Sequence, residues 1–327
     1  MIVKRYWIRW SVCLCLMLLA SAASAARPLP RAPGTDLRVL VWNVSGEQFF
    51  EHQKGYIKAL SAVDADLLIL DEMPVGRSTE DVRAVLTQIE SRRQPDWQIA
   101  YGSSGYNQTT VFAARGHVQA LPEFAFLPYP QNAREQVLAP LTNADKQLRM
   151  KQKLDGGVAS FGVEATFGKR RALLVGVDLT CCGDSDDAWE ERLRLVESTE
   201  VRAALDRAWS QRQVHAVIVA GDFNAVRGRK PLLPVQGDPG SGDSYLRVAP
   251  AAHANGIDDW TWDGRGTPFP SRPLDFSLHN EGLTLLHALV FDPETMAPRQ
   301  RSRLGLRRDS LIPLSEHRPV IADFSWR

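Results

Sequence analysis

From Leu37 onward the chain alternates short apolar runs with stretches of helical period. Leu37–Val44 (LRVLVWNV) and Asp66–Leu70 (DLLIL) are short, apolar and bounded by polar residues, the pattern of buried strands. Between them, Gly55–Val63 reads as a short helix. Ser78–Arg93 reads as a clearer one. Ser78 with Asp81 makes a capping-box start, and Val82, Val85, Leu86 and Ile89 recur at i, i+3, i+4 and i+7. Val158–Phe167 and Ala172–Leu179 flank Gly168-Lys169-Arg170-Arg171, which predicts a hairpin with a basic turn. Asp186–Trp209 predicts a long helix with Val201, Ala204, Leu205 and Ala208 on one face. Val214–Ala220 and Val320–Phe324 read as further strands, the second closing the fold. Loops rich in Pro and Gly cover roughly Arg227–Gly242 and Asp263–Pro273. No internal repeat is present. Strands near both ends with hairpins between them fit a sheet-on-sheet core covered by helices, in one domain, better than a purely parallel sheet.

The first 25 residues have a different character. Lys4, Arg5 and Arg9 precede a charge-free stretch from Val12 to Ala20, and small residues follow. Ala23-Ser24-Ala25 fits an A-x-A cleavage site, so residues 1–25 read as a secretory signal and the mature chain as secreted or periplasmic. The apolar core is shorter than the roughly 20 residues of a spanning helix, so no transmembrane anchor is expected after cleavage. Residues 26–36 are rich in Pro and small residues and read as a linker to a domain over 37–327.

With 44% hydrophobic and 24% charged residues, the composition is that of a globular protein and excludes a disordered one. Loss of residues 1–25 removes three positive charges and no negative ones, taking the net charge from +1 to −2. Sequence-independent nucleic-acid binding normally rests on clustered Lys and Arg. The balance therefore excludes a polycation, while leaving room for local positive potential. Cys13 and Cys15 lie in the signal, and the mature chain keeps only Cys181-Cys182. That count excludes a disulfide framework.

Several polar residues stand where strands run out: Asn43, Glu72, Asp222 with Asn224, Asp275, and His317 preceded by Glu316. Polar residues on loops held by a rigid core are the usual layout of a catalytic site. Any one of these carboxylates is ordinarily a turn residue or helix cap. Together they make a coherent set. Oxygen ligands such as Asn43 and Glu72 suit a hard ion, Mg²⁺ or Mn²⁺. Asp222 suits water activation, Asn224 suits orienting it, and a carboxylate–His pair suits an in-line displacement.

These segments resemble, in order, those of the endonuclease/exonuclease/phosphatase superfamily, from about Leu37 to Phe324. LRVLVWNVSG resembles the opening strand that ends in a metal-proximal Asn, here Asn43. ADLLILDEMP resembles the segment whose Glu binds the metal, here Glu72. VIVAGDFNAV carries G-D-F-N, which implies Asp222 as general base and Asn224 as its partner. SRPLDFSL implies Asp275 as the carboxylate that pairs with the catalytic His, and SEHRPV implies His317 as that His, with Glu316 among the metal ligands. The resemblance implies a four-layer α/β/β/α sandwich and a metal-dependent phosphoesterase, foremost a phosphodiesterase. The substrate is then a phosphate ester (nucleic acid, phospholipid head group or small phosphate), with no stable protein partner indicated. A phosphomonoesterase and a decayed binding module are the alternatives. Two positions depart from the pattern. Asp178 stands where many members have a phosphate-contacting His, and Glu316 where they have Asp. Asn107 falls where a substrate-side loop is expected, and Arg299, Arg301, Arg303, Arg307 and Arg308 read as a solvated basic loop or, alternatively, as a phosphate-steering one.

Overall fold

The computed structural model describes residues 27–89, 96–183, 185 and 187–327. Thirteen strands follow one another along it: β1 (Leu37–Asn43), β2 (Leu67–Pro74), β3 (Gln98–Tyr101), β4 (Gln108–Ala114), β5 (His117–Ala120), β6 (Ser160–Phe167) and β7 (Arg170–Asp178). The remainder are β8 (Ala216–Asp222), β9 (Arg247–Val248), β10 (Ala252–His253), β11 (Asp275–His279), β12 (Leu283–Val290) and β13 (Val320–Trp326). Two mixed sheets result, one ordered β10-β12-β13-β1-β2-β4-β3 and the other β5-β6-β7-β8-β11-β9.

Every residue of β1 and of β8 is buried. Because successive side chains point to opposite faces, each such strand serves two cores. Leu37, Val39 and Val41 of β1 meet Ala216, Ile218 and Ala220 of β8 in the layer between the sheets. Leu40 and Trp42 turn outward to the helices Gln53–Val63 and Thr79–Leu86. Val217 and Val219 turn the other way, to Val201, Ala204, Leu205 and Ala208 of the helix Trp189–Ser210. Helix, sheet, sheet, helix is therefore the layer order, the sandwich expected from the sequence.

The elements differ from the expectation in detail. The helix Thr79–Leu86 has the capping box of Ser78 and Asp81, but it gives way to turns before Ile89, and residues 90–95 lie outside the described residues. The long helix begins at Trp189; Asp186, its expected start, is likewise outside. The basic stretch is partly helical, over Pro298–Arg303, where Pro298 supplies a preset φ in the first turn. A short helix, Leu232–Gln236, interrupts the first Pro/Gly loop.

Residues 27–36 are not the free linker that their composition predicts. Leu29 is buried, and its N–H donates to Ala62 O at 2.7 Å. Fully buried Arg38 donates to Leu29 O and Pro30 O and forms a two-bond pair with Asp323 (2.6 and 2.8 Å). Ala32 N–H donates to the same carboxylate. The segment is thus tied to β1 and β13. Among the described residues no helix is long and apolar enough to cross a membrane, and the expected signal lies outside them.

Candidate active site

Strand register assembles the site. Parallel pairing sets Asn43 of β1 beside Asp71 of β2, and Asp178 of β7 beside Asp222 of β8. Antiparallel pairing sets Asp222 beside Asp275 of β11. Asp178 and Asp222 open into one cavity of about 750 Å³, whose walls also include Glu72, Asn107, Asn224, Glu316 and His317, with Asn43, Asp71 and Asp275 behind it.

Local backbone aims the side chains. The β2–β4 register slips between Leu70 and Met73, and within that bulge Glu72 has a left-handed φ of 57°. A bulge re-aims a side chain, and a left-handed non-glycine residue is a strained one that the surroundings must hold. Glu72 Oε1 accepts from Asn43 Nδ2 (2.9 Å), which also lies 3.1 Å from Asp222 Oδ2. Asn43 thus bridges the two sheets. Its Oδ1 accepts from Ser45 N–H.

The G-D-F-N segment has a physical reason at each position. Gly221 has φ 144°, and a Cβ there would stand 2.0 Å from Val177 O, so β7 approaches too closely for any side chain. Phe223 is buried, edge-on to Phe276. Asn224 has φ 47°; its N–H donates to Asp222 Oδ1 (2.8 Å) and its Nδ2 to Leu179 O (2.8 Å). The amide of Asn224 is therefore spent on fixing the loop after β7.

His317 Nδ1 lies 2.8 Å from Asp275 Oδ2, and its Nε2 lies 3.7 Å from Asp222 Oδ2. The three side chains form one buried line. Burial opposes the imidazolium, but the Asp275 and Asp222 carboxylates outweigh it and raise the His317 pKa to about 10. Burial and the neighbouring Asp275 charge raise Asp222 to about 7. Burial, then Glu72 and Asp222, hold Asp178 well above the carboxylate range, against the Gln108 amide that donates to it at 2.8 Å. Behind Glu72, burial pushes fully buried Asp71 up as well; Thr110 Oγ1 donates to one of its oxygens.

Glu316 borders the same cavity but is exposed, with Trp262 Nε1 donating to it at 3.2 Å; no contact ties it to Asn43 or Glu72 among the described residues. Asn107 is exposed at the rim.

Other residues hold the site in place, Thr261 outside the segments quoted above and Trp42 and Ser315 within them. Thr261 Oγ1 donates to Asp275 Oδ2 (2.6 Å) while accepting the Leu274 and Asp275 N–H groups, each at 2.9 Å. Ser315 Oγ donates to Asn43 O and accepts from His317 N–H, and Trp42 Nε1 donates to His317 O. Thr261 lies 14 residues from Asp275, and Ser315 lies 272 from Asn43, separations that no motif spacing encodes.

The chain belongs to the endonuclease/exonuclease/phosphatase family, whose pattern matches residues 40–297. The match covers Asn43, Glu72, Asp222 and Asp275 and stops short of His317. Members of this family are phosphoesterase-type hydrolases. Among solved structures, truncated Caenorhabditis elegans TDP2 is similar at 15% identity and TM-score 0.54, over 88% of this chain and 97% of that one. The human Nocturnin catalytic domain with bound sulfate is similar at 17% identity and TM-score 0.54, over 89% and 94%. An endonuclease/exonuclease/phosphatase from Bacteroides vulgatus is similar at 13% identity and TM-score 0.55, over 90% and 100%. At such identities the likeness concerns the fold. No curated protein matches the chain by sequence.

Proposed function

We propose that the chain is an exported, divalent-metal-dependent phosphodiesterase. The observation that carries the reading is the buried line Asp275–His317–Asp222 standing beside the Asn43–Glu72 pair. In it a hydrogen-bonded acid–base pair faces a set of hard oxygen donors.

The donors fit a hard cation. Glu72 offers carboxylate oxygens, and the Asn43 carbonyl keeps a lone pair beyond its bond to Ser45. Burial first, and then repulsion among the crowded carboxylates, raises Asp178 and Asp222, and a divalent cation relieves that repulsion. Asp222, Asp275 and His317 also converge within 4.8 Å, close enough to hold an ion. That placement is disfavoured, because an imidazole kept protonated by two carboxylates has no lone pair to offer. Glu72 and Asn43 would hold the metal, with Glu316 reaching it only if it leaves Trp262.

When bound, Mg²⁺ or Mn²⁺ supplies charge neutralisation of the phosphate and of the departing oxygen. Asp222 accepts the proton of the attacking water. His317, kept as imidazolium by Asp275, donates to a non-bridging phosphate oxygen as charge builds there. Thr261 holds Asp275, and Asn224 holds Asp222, so both acid–base groups are oriented before substrate arrives. The cavity volume of about 750 Å³ accommodates a group on each side of the phosphorus, as a diester requires.

The test is hydrolysis of bis-p-nitrophenyl phosphate beside p-nitrophenyl phosphate with Mg²⁺ or Mn²⁺, with Asp222→Asn and chelator as controls. Faster diester cleavage, lost in both controls, is expected. Faster monoester cleavage would replace the reading with a phosphomonoesterase, and absence of metal-dependent turnover would favour a binding module.

A further inference from the structure

A second hollow opens beside the catalytic cavity and shares two of its walls, Tyr106 and Lys153. It measures about 460 Å³ and is otherwise bordered by Leu141, Lys146, Arg149, Met150 and Trp189. The helix Ala144–Asp155 supplies most of it. Lys146, Arg149, Met150 and Lys153 recur there at i, i+3, i+4 and i+7, so three cations and a thioether share one face. Lys146 and Arg149 are exposed. Among the described residues none of the three cations has an ion-pair partner, and the Arg149 guanidinium reaches only Asp145 O at 3.5 Å. Tyr106 stands at the junction, 46% exposed, its hydroxyl 3.2 Å from Gln152 Oε1.

The two hollows differ in charge. Glu72, Asp178, Glu190, Glu197, Asp222 and Glu316 outnumber Lys153, Arg227, Arg272 and His317 around the first, whereas Lys146, Arg149 and Lys153 border the second with no carboxylate beside them. Lys153 lies between them, close enough to Asp178 for its charge to act on that carboxyl. An acidic floor takes a cation and, through it, one phosphate. Unpaired cations one step away have nothing to neutralise unless the substrate carries a further anionic group. The remaining walls narrow its nature. Tyr and Trp rings interleaved with Lys and Arg are the combination that holds a single strand, phosphates on the cations and bases on the rings. A phospholipid fits less well. Its one phosphate belongs over the acidic floor, and its acyl chains would then strip water from three charged side chains without pairing them.

We propose that this annex holds the neighbouring phosphate and its base in a single-stranded oligonucleotide whose scissile diester lies over Glu72 and Asp222. The inference rests on the phosphodiesterase reading above and adds its substrate class. The negative net charge of the mature chain does not oppose it, because the cations act locally.

The test compares a short oligothymidylate with bis-p-nitrophenyl phosphate, both with Mg²⁺, and follows the ratio of their kcat/KM values. Lys146→Gln/Arg149→Gln lowers that ratio about tenfold or more, mainly through KM. It also reduces the log–log salt slope for the oligonucleotide by about 0.7, the contribution of the one phosphate that the annex no longer neutralises. Tyr106→Leu lowers the ratio about tenfold and Tyr106→Phe restores most of it, because the ring stacks and the hydroxyl does not. Lys54→Gln/Lys58→Gln makes the same charge change on the helix Gln53–Val63 of the other sheet and leaves the ratio in place. An unchanged ratio in the annex variants, with diester turnover intact, overturns the annex and leaves the phosphodiesterase reading standing. Absence of metal-dependent turnover of both esters by the unaltered chain overturns both. A loss seen with phosphatidylglycerol vesicles and not with oligothymidylate overturns the nucleic-acid assignment.

Discussion

Asp178 and Asp222 are register partners at the ends of adjacent parallel strands, two buried carboxylates side by side. Burial comes first in raising both, and each carboxylate has further acidic neighbours that raise it more. A carboxyl whose folded pKa exceeds its unfolded value binds more protons folded than unfolded. Its contribution to stability is therefore lost as pH rises from the unfolded pKa, about 3.9, through the folded one. In chelator, the melting temperature is expected to fall between pH 5 and pH 8. Mg²⁺ should restore more of it at pH 8 than at pH 5. Asp178→Asn should flatten the metal-free profile. Calorimetry across that range checks all three.

Thr261 is a positioning residue for the Asp275–His317 pair. Thr261→Val removes the donor to Asp275 Oδ2 and leaves two buried backbone N–H groups without their acceptor. Stability should drop by about 1–3 kcal/mol, and kcat by roughly tenfold or more, as loosened geometry implies. Thr261→Ser keeps the hydroxyl and should recover both. Kinetics with thermal melts on the two variants separate this role from bulk destabilisation.

Gly221 precedes the proposed base and tolerates no side chain. Gly221→Ala places a Cβ against Val177 O at 2.0 Å and at a φ that alanine rarely adopts. The strands must part or the loop must move, at a cost above about 2 kcal/mol. Denaturant titration of Gly221→Ala should show the loss with an unchanged m-value.

Arg38 and Asp323 pair across β1 and β13 with both side chains removed from water. Burial works against the Asp323 carboxylate, and the Arg38 bonds overcome it, leaving the pKa below its ordinary value. That stability is present above the unfolded pKa and is lost as pH falls through the folded one. Asp323→Asn strands a buried guanidinium and should cost about 3–5 kcal/mol at neutral pH, with a smaller difference at pH 3. It should also free residues 27–36 to limited proteolysis, because Ala32 donates to the same carboxylate.

Export predicts a particular mature end. Intact mass and N-terminal sequencing of the protein from an exporting host should find cleavage after Ala25, so that the chain begins at Ala26. A retained Met1 would remove export from the proposed function.

Much of the molecule is legible in its sequence, for a common reason. Strands buried on both faces must be apolar throughout, so LRVLVWN and AVIVAGD announce themselves, and the polar residues that end them stand out by contrast. Asn43, Glu72, Asp178, Asp222, Asn224, Glu316 and His317 all border one cavity or bond to one another within it. Composition misled over residues 27–36. A Pro-rich stretch predicts a stiff segment, but whether it docks depends on Leu29 finding a pocket and Arg38 finding its carbonyls.

Local pattern, then, marked the long buried strands, the helices with clear period or capping and the residue types at the strand ends, because alternation and turn chemistry act over a few neighbouring residues. The short edge strands, β12 and the helices Gln131–Leu138 and Ala144–Asp155, polar over most of their surface, gave no such mark. The tertiary structure decided which ends meet. Parallel register set Asp178 against Asp222, a bulge turned Glu72 inward, Thr261 folded back onto Asp275, and Ser315, beside His317, met Asn43 from 272 residues away. Those contacts depend on register, twist and packing summed over both sheets, and these are properties of the folded whole rather than of any local run of residues.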